Sequence, residues 1–408
     1  MIKEITAIEF DEYAKNHVLS NFHQSSNYAS LMAKSGYERL YLALKDDNNH
    51  IIGATLLLTK KIKHIFKYGY APQGFLIDYK NDKEVRSFTN AMKQYAKDNK
   101  IIFIKINPEI ATYIYDHNLK KKKLSNYSII NTLTDNGYIK LKDNIYFESM
   151  LPRFNGIIDL KKYNLNKITK KNRNKVHNAV RKGLEIETTN KNKIKDLYPF
   201  IEKKKKRRNL NYYKNYFSIF NETLDADIFL VSINYEKYLT NSKDVFEKEL
   251  EHNKMVTERL LQNNTEENIK RKMESDRVLL SYKNDVINAT YGLNKGNNYI
   301  AGALCIKHNN HVHIVISGYD ELYSYMNPNY FLHNEIINYY KKNFDYLDLN
   351  GLTGDFTITN PYYGLNEFKL GFKPTVYEFI GEFDLVVNET IYNLLLSLGW
   401  LQKEFKKD

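Results

Sequence analysis

The chain runs to 408 residues, 42% hydrophobic and 27% charged, with a formal net charge of +13. It is long enough for two or three domains with ample core, and it holds no apolar run of bilayer-spanning length. A single cysteine, Cys305, excludes an intramolecular disulfide and any multi-thiolate metal site, while the positive surplus suits a polyanionic partner (RNA, an anionic lipid surface or a nucleotide-like substrate) without choosing among them.

Residues 1–150 read as a mixed α/β unit. The opening MIKEITAIEF lacks the apolar stretch of a secretory signal, so the expected location is the cytosol. Phe22-His23-Gln24-Ser25-Ser26 caps a helix running toward Gly36. Strands follow at 40–44 and 51–59. After Tyr70-Ala71-Pro72-Gln73-Gly74 a further short strand is expected to end at Asp78. Residues 83–97 have amphipathic helical spacing, and Ile101-Ile102-Phe103-Ile104-Lys105-Ile106 reads as a buried strand stopped by Asn107-Pro108.

A second α/β unit begins at Leu151-Pro152-Arg153 and repeats the pattern: strand 156–160, helix 166–182, a stop at Gly183, strand 184–187, helix 193–207 and strand 228–233. Residues 235–283 contain neither Gly nor Pro and are dense in Lys and Glu. Leu239, Phe246 and Leu260 share a seven-residue register with Asn253 at the missing place, and Ile269, Met273 and Leu280 make a second stripe. With Thr265 as a cap, this predicts an antiparallel helical hairpin over 235–285 with a narrow apolar seam. Its role is open between a solvated arm and a surface for RNA or another protein. Strands are expected at 287–293, 299–306 and 311–317, the first two joined by a turn at Lys295-Gly296-Asn297-Asn298. A helix at 328–342, a strand at 346–349 and a closing strand at 375–384 complete the unit. The end, 391–408, is expected to be a helix packing back on the first unit.

The clearest chemical signal is Asn350-Gly351-Leu352-Thr353-Gly354-Asp355-Phe356 followed by Glu367-Phe368-Lys369-Leu370-Gly371-Phe372. A lysine inside an apolar run is unfavourable unless its charge has a partner or a task. Lys369 either meets an anionic oxygen, of a phosphate or a tetrahedral intermediate, or covers apolar surface with its stem while its amine stays wet. Lys203-Lys204-Lys205-Lys206-Arg207-Arg208, ahead of Asn209-Leu210-Asn211-Tyr212-Tyr213, is an anion patch or a solvated face. The same two readings hold for the helix bearing Lys171, Arg173, Arg181 and Lys182. Alternation puts His311 and His313 on one strand face, but no carboxylate or cysteine pattern completes a zinc site, and no metal is expected.

Taken in order, several motifs resemble the FemABX family of bacterial peptidoglycan aminoacyltransferases over nearly the whole chain. They are Phe22-His23-Gln24-Ser25, Tyr70-Ala71-Pro72-Gln73-Gly74, Lys105-Ile106-Asn107-Pro108, and Leu151-Pro152-Arg153 with Ile158-Asp159-Leu160. The basic helix from Lys171-Asn172-Arg173 to Arg181-Lys182-Gly183 follows. The closing pair, Gly351-x-x-Gly354-x-Phe356-Thr357 and Phe368-Lys369-x-Gly371-Phe372, is the most specific. The domain order and inserted hairpin are similar to the branch that builds interpeptide bridges.

The resemblance implies an α/β (α+β) fold of two tandem GNAT-like subdomains. The first is 1–150; the second is 151–234 with 286–390, interrupted by the hairpin. It implies transfer of Gly, Ala or Ser from aminoacyl-tRNA to the amine of lipid II or of UDP-MurNAc-pentapeptide, at the inner face of the membrane and without a cofactor. It implies that Lys369 steadies the oxyanion or the terminal tRNA phosphate, with Phe368 and Phe372 anchoring the turn or stacking on the terminal adenine. It gives the acceptor diphosphate to Arg207 or Arg208, with Tyr212 adjoining and Lys34 as a further phosphate candidate. Tyr70 and Asn107 join the acceptor site, and Lys171, Arg173, Arg181 and Lys182 face tRNA. The chain departs from the family at Gln73 and Phe75, where Arg and Pro are frequent, and at Asn107, where Asp is frequent. An amide orients an amine but takes no proton at neutral pH, so Asn107 is not expected to be a general base.

Two other functions stay open. An acyl-CoA-dependent N-acyltransferase wants a Gly-rich, pyrophosphate-holding turn that the sequence lacks. A non-catalytic basic RNA-binding protein needs neither Lys369 nor a deep pocket.

Overall fold

A computed structural model describes residues 1–203, 208–296 and 298–405. The first stretch contains β1 (Ile2–Glu4), α1 (Ala7–Asn16), α2 (Ser26–Ala33), β2 (Glu38–Lys45), β3 (Ile51–Ile62), β4 (Phe66–Ala71), α3 (Asp82–Asp98) and β5 (Ile101–Ile106). It continues with β6 (Ala111–Tyr115), β7 (Lys121–Lys123), α4 (Ile129–Asp135) and β8 (Tyr138–Lys140). Next come β9 (Phe154–Asp159), α5 (Lys170–Arg181), β10 (Leu184–Thr189), α6 (Ile194–Leu197), α7 (Leu210–Asn221) and β11 (Ala226–Ile233). The hairpin is α8 (Tyr235–Gln262) and α9 (Glu266–Gly292). The remainder is β12 (Tyr299–His308), β13 (His311–Tyr319), α10 (Pro328–Tyr340), β14 (Tyr346–Leu352), α11 (Tyr363–Leu370), β15 (Thr375–Phe379), β16 (Phe383–Val386), α12 (Glu389–Ser397) and α13 (Trp400–Glu404).

Among these residues the strands form two sheets, ordered β1-β2-β3-β4-β5-β16-β8 and β10-β11-β12-β13-β14-β9-β15-β6-β7. The sheets exchange strands across residue 150. β6 leaves the first half to pair with β15 and carries β7 on its outer edge, while β16 returns to lie between β5 and β8. A buried ion pair, Lys105 Nζ to Asp384 Oδ1 at 2.8 Å, joins β16 to β5. The terminal helices pack on the first sheet, with Trp400 against Phe66 and Tyr392 against Phe103.

Local chemistry sets the expected boundaries. Ser25 accepts the Tyr28 N–H at the start of α2, and Thr265 accepts the Asn268 N–H at the start of α9. Cys305 is buried in β12, where burial pushes its thiol up.

Several expectations fail for identifiable reasons. Past Ala71 there is a turn and one isolated bridge, Ala54 to Leu76, not a strand. The helix expected at 193–207 is only α6 and a 3₁₀ turn, Tyr198–Phe200, because Pro199 cannot continue the ladder. Residues 204–207 of that expectation lie outside the described residues. α7 has no counterpart among the expected elements, although Tyr213, Phe217 and Phe220 have helical spacing and are buried. Residues 287–292 are the end of α9 rather than a strand, so the turn at 295–298 enters β12 from a helix; its Asn297 lies outside the described residues. The closing strand at 375–384 divides into β15 and β16, which join different sheets, and the chain turns between them at Gly381 with φ of +87°. The C-terminal segment is two helices rather than one, and residues 406–408 lie outside the described residues.

The hairpin seam also differs. Met273 and Leu280 are 67% and 59% exposed, and Ile269 is exposed too. The close face of α9 is instead formed by small and polar residues that hydrogen-bond to α8. Ser275 donates to Glu249 at 2.7 Å, and Asn253 donates to Ser275 at 3.0 Å. At the base, Asp285 gathers Tyr238 (2.7 Å), Arg181 (2.7 Å) and Lys182 (3.0 Å). Burial pushes the Asp285 carboxyl up, but these partners outweigh it and hold it below the ordinary carboxylate range.

This anchor dictates a test by urea unfolding. Asp285→Ala, which strands two cations, should lower stability by about 3 kcal/mol. Glu266→Ala, which breaks an exposed pair with Lys270, should cost less than about 1 kcal/mol. Equal effects would contradict the anchoring role.

Candidate active site

The site begins where two parallel strands part. β13 and β14 pair from His311–Tyr346 to His313–Asp348 and then separate. Asn350, at φ of +66°, sits in a register shift of β14 against β9. Its N–H donates to Asp348 Oδ1 at 2.7 Å, and its side-chain amide donates to the Ile314 and Val315 carbonyls, both at 3.2 Å. Beyond this wedge lies a cavity of about 570 Å³ between residues 314–320 on one side and 349–351 on the other.

Lys369 lies on the cavity wall, 8% exposed, and its Nζ donates to the Gly351 carbonyl at 2.6 Å. The helix that carries it is fixed from two sides. Asn366 accepts the Thr353 N–H at 3.0 Å and donates to the Asp355 carbonyl at 2.9 Å, folding the 351–356 loop onto α11. Asn172 donates to the Phe368 carbonyl at 3.0 Å. That approach requires glycine at 371, where a Cβ would lie 2.2 Å from the Asn172 amide. Phe368 lines the cavity with its ring 4.8 Å from that of His333.

Phe372 does not reach the cavity. It is 1% exposed, packs against Phe368, and borders a separate cavity with Lys167 and Lys373.

A second group gathers where α2 meets α7. Lys34 Nζ donates to Asn215 Oδ1 at 3.4 Å, and the Arg208 guanidinium lies 5.5 Å from the Tyr212 ring centre. Burial pushes the Tyr212 hydroxyl up to about 12, against the pull of Arg208. Tyr70, whose hydroxyl burial also pushes up, donates to Asn107 Oδ1 at 3.3 Å. The same oxygen accepts the Gln73 N–H at 3.0 Å, so Asn107 braces the 72–74 turn. Lys203 rims the Lys369 cavity, whereas Arg208 lies beside Tyr212. Arg207 lies outside the described residues.

The FemAB family model matches residues 5–398. The chain belongs to the FemAB family. Aminoacyltransferase FemA of Staphylococcus epidermidis is 23% identical over 420 residues, covering 98% of this chain and 99% of that protein. Lipid II:glycine glycyltransferase of the same species is 24% identical over 404 residues, covering 96% and 94%. In fold, the crystal structure of FemX superposes with a TM-score of 0.73 at 20% identity, covering 97% of this chain and 99% of that one. No helix among the described residues is long and apolar enough to cross a membrane.

In this FemAB protein the C-terminal end of the basic helix α5 is committed internally. Arg181 and Lys182 anchor the hairpin through Asp285, so they are not the solvated, phosphate-facing cations expected. Lys171 pairs with Glu367 at 2.6 Å, and Arg173 donates to the Asn166 carbonyl at 2.8 Å; both remain at the surface.

Between the two halves lies a buried polar cluster that sequence patterns did not reveal. Glu109 accepts from Asn21, and electrostatics couple it to His313 and Asp348. His313 Nδ1 lies 3.5 Å from Asp348 Oδ2. Burial pushes the Glu109 carboxyl from 4.5 to about 7 and pulls His23 down to about 3.

A raised carboxylate favours the folded state only while protonated. Between 4.5 and about 7 the folded protein holds this proton and the unfolded chain does not, so this contribution falls as pH rises. Glu109→Gln should therefore gain stability relative to the parent across that window and hold a constant advantage above it. Urea midpoints measured across pH test this; a pH-independent difference would contradict it.

Proposed function

We propose that this protein is an aminoacyltransferase that moves an amino acid from aminoacyl-tRNA to the amine of a peptidoglycan precursor during interpeptide-bridge synthesis, working at the membrane surface on a lipid-linked acceptor. Membership of the FemAB family supports the reading, as do the names of the relatives aligned end to end with the chain. The observation that carries it is the Lys369 ammonium, held by the Gly351 carbonyl on the wall of a cavity large enough for a reacting ester.

The chemistry follows from the donor. An aminoacyl ester is already activated, so a neutral amine attacks its carbonyl carbon, negative charge grows on the carbonyl oxygen, and the ribose hydroxyl leaves. Such a reaction needs orientation and charge stabilisation above all. A fixed ammonium that is itself only 8% exposed supplies the second. Lys34 and Arg208 beside Tyr212 supply cations for the acceptor diphosphate, and Lys171 and the half-buried Arg173 supply them for tRNA.

Purified protein incubated with labelled glycyl-, alanyl- or seryl-tRNA and lipid II should yield a precursor heavier by one residue in mass spectrometry. Binding of tRNA without transfer would favour the RNA-binding reading instead. Lys369→Ala should lower kcat by about 10²–10³-fold while leaving the melting temperature close to that of the parent. The double variant Lys34→Ala, Arg208→Ala should raise KM for lipid II about tenfold more than KM for tRNA. Equal losses for both substrates would reassign those cations to general electrostatics.

A further inference from the structure

The transfer reaction has to move a proton. The attacking nitrogen loses one as the C–N bond forms, and the ribose oxygen gains one as the C–O bond breaks. Asn107 cannot carry it, and it is occupied with bracing the 72–74 turn. Lys369, the buried cation of the wall, has no lone pair to offer while charged, and Lys203 belongs to the exposed rim. The carboxylates on the cavity wall, Glu202, Asp320 and Glu321, belong to its exposed or half-exposed rim.

His333 is the acid–base group that remains among the described residues of that wall. It projects from α10, is 1% exposed, and lines the same cavity as Lys369. Its ring is held between Phe368, edge-on at 4.8 Å, and Phe372, nearly parallel at 6.1 Å. Its Nδ1 lies 2.9 Å from the Asn329 carbonyl. A carbonyl only accepts, so Nδ1 carries the ring proton and Nε2 is the basic nitrogen of the neutral imidazole. Phe368 and Lys369 are adjacent in α11: one packs on the imidazole, and the other turns its ammonium to Gly351. The two groups are thus set against each other on one wall by a single turn of helix.

We infer that His333 is the catalytic proton shuttle of this site, taking the proton of the acceptor amine and delivering it to the leaving ribose oxygen. As the amine nitrogen bonds to the ester carbonyl carbon, its proton passes to Nε2 and the carbonyl oxygen takes the negative charge beside Lys369. When the intermediate collapses, the bond to the ribose oxygen breaks and the proton passes from Nε2 to that oxygen. The imidazole ends neutral, and no outside reagent is consumed. The assignment rests on the transferase reading above.

The experiment is aminoacyl transfer from charged tRNA to lipid II by the full chain and two variants. His333→Gln keeps a polar side chain but takes no proton; its kcat should fall about 10²-fold with both KM values within about threefold. His333→Ala opens a ring-sized space on the cavity wall, and added imidazole should restore its rate in a saturable manner. A residue needed only for packing gives no such rescue. A kcat for His333→Gln within about threefold of the parent, or a His333→Ala rate that imidazole leaves unchanged, overturns the assignment. Absence of transfer by the parent overturns the transferase reading as well; active parent with unaffected variants overturns the His333 role alone.

Discussion

An ammonium held against a backbone carbonyl at the point where two parallel strands part is the constraint from which the site follows. Taking a lysine out of water costs several kcal/mol unless hydrogen bonds replace the solvent. Here the Gly351 carbonyl accepts one of them, and it is available because β14 shifts register at Asn350. The wedge of Asn350 between β13 and β14 keeps the strands apart, and the clamps of Asn366 and Asn172 keep α11 where its lysine reaches the bulge. Each of these asparagines satisfies backbone groups of an irregular strand end, a loop or a helix terminus. The site is therefore made from the irregularities of the second sheet, while its regular parts supply rigidity.

The two halves treat the same topological feature differently. Among the described strands, β4 with β5 and β13 with β14 are the parallel pairs. In the first half the fork beyond β4 and β5 is closed by Gln73, Asn107 and Glu109, leaving a space of only about 10 Å³. In the second half the fork is open and lined by Lys369 and His333. The exchange of β6, β7 and β16 between the sheets ties one fork to the other, with Arg153 gripping Glu378 of β15 at the crossing. A filled fork braces; the open one is where the proposed reaction is set.

Much of this was legible in the sequence where a local rule decides. Ser25 and Thr265 mark helix starts because a hydroxyl caps an orphan N–H wherever the chain goes next. Ile101-Ile102-Phe103-Ile104-Lys105-Ile106 announces a buried strand by apolar content alone. Lys369 stood out because charge inside an apolar run demands an explanation. What escaped depends on distant partners. No periodicity says that β16 joins β5 rather than β15. Ile287 at the end of α9 looks strand-like until Asp285 and Ala289 are seen packed against α8. Arg181 and Lys182 look like free cations because their carboxylate lies about a hundred residues away, in the hairpin. His333 carries no motif, and its Nδ1 meets the Asn329 carbonyl one helical turn back, a contact no sequence pattern announces.

The central claim is that Lys369 acts on charge that develops in the transition state rather than on the bound ester. Binding of two adenosine 3′-end mimics, measured by calorimetry on the parent and on Lys369→Met, tests it directly. One mimic carries a stable amide in place of the ester; the other carries a tetrahedral phosphonate. The account predicts that the substitution weakens the phosphonate about 10²-fold and the amide by less than about threefold. Equal weakening of both, or of neither, would contradict it.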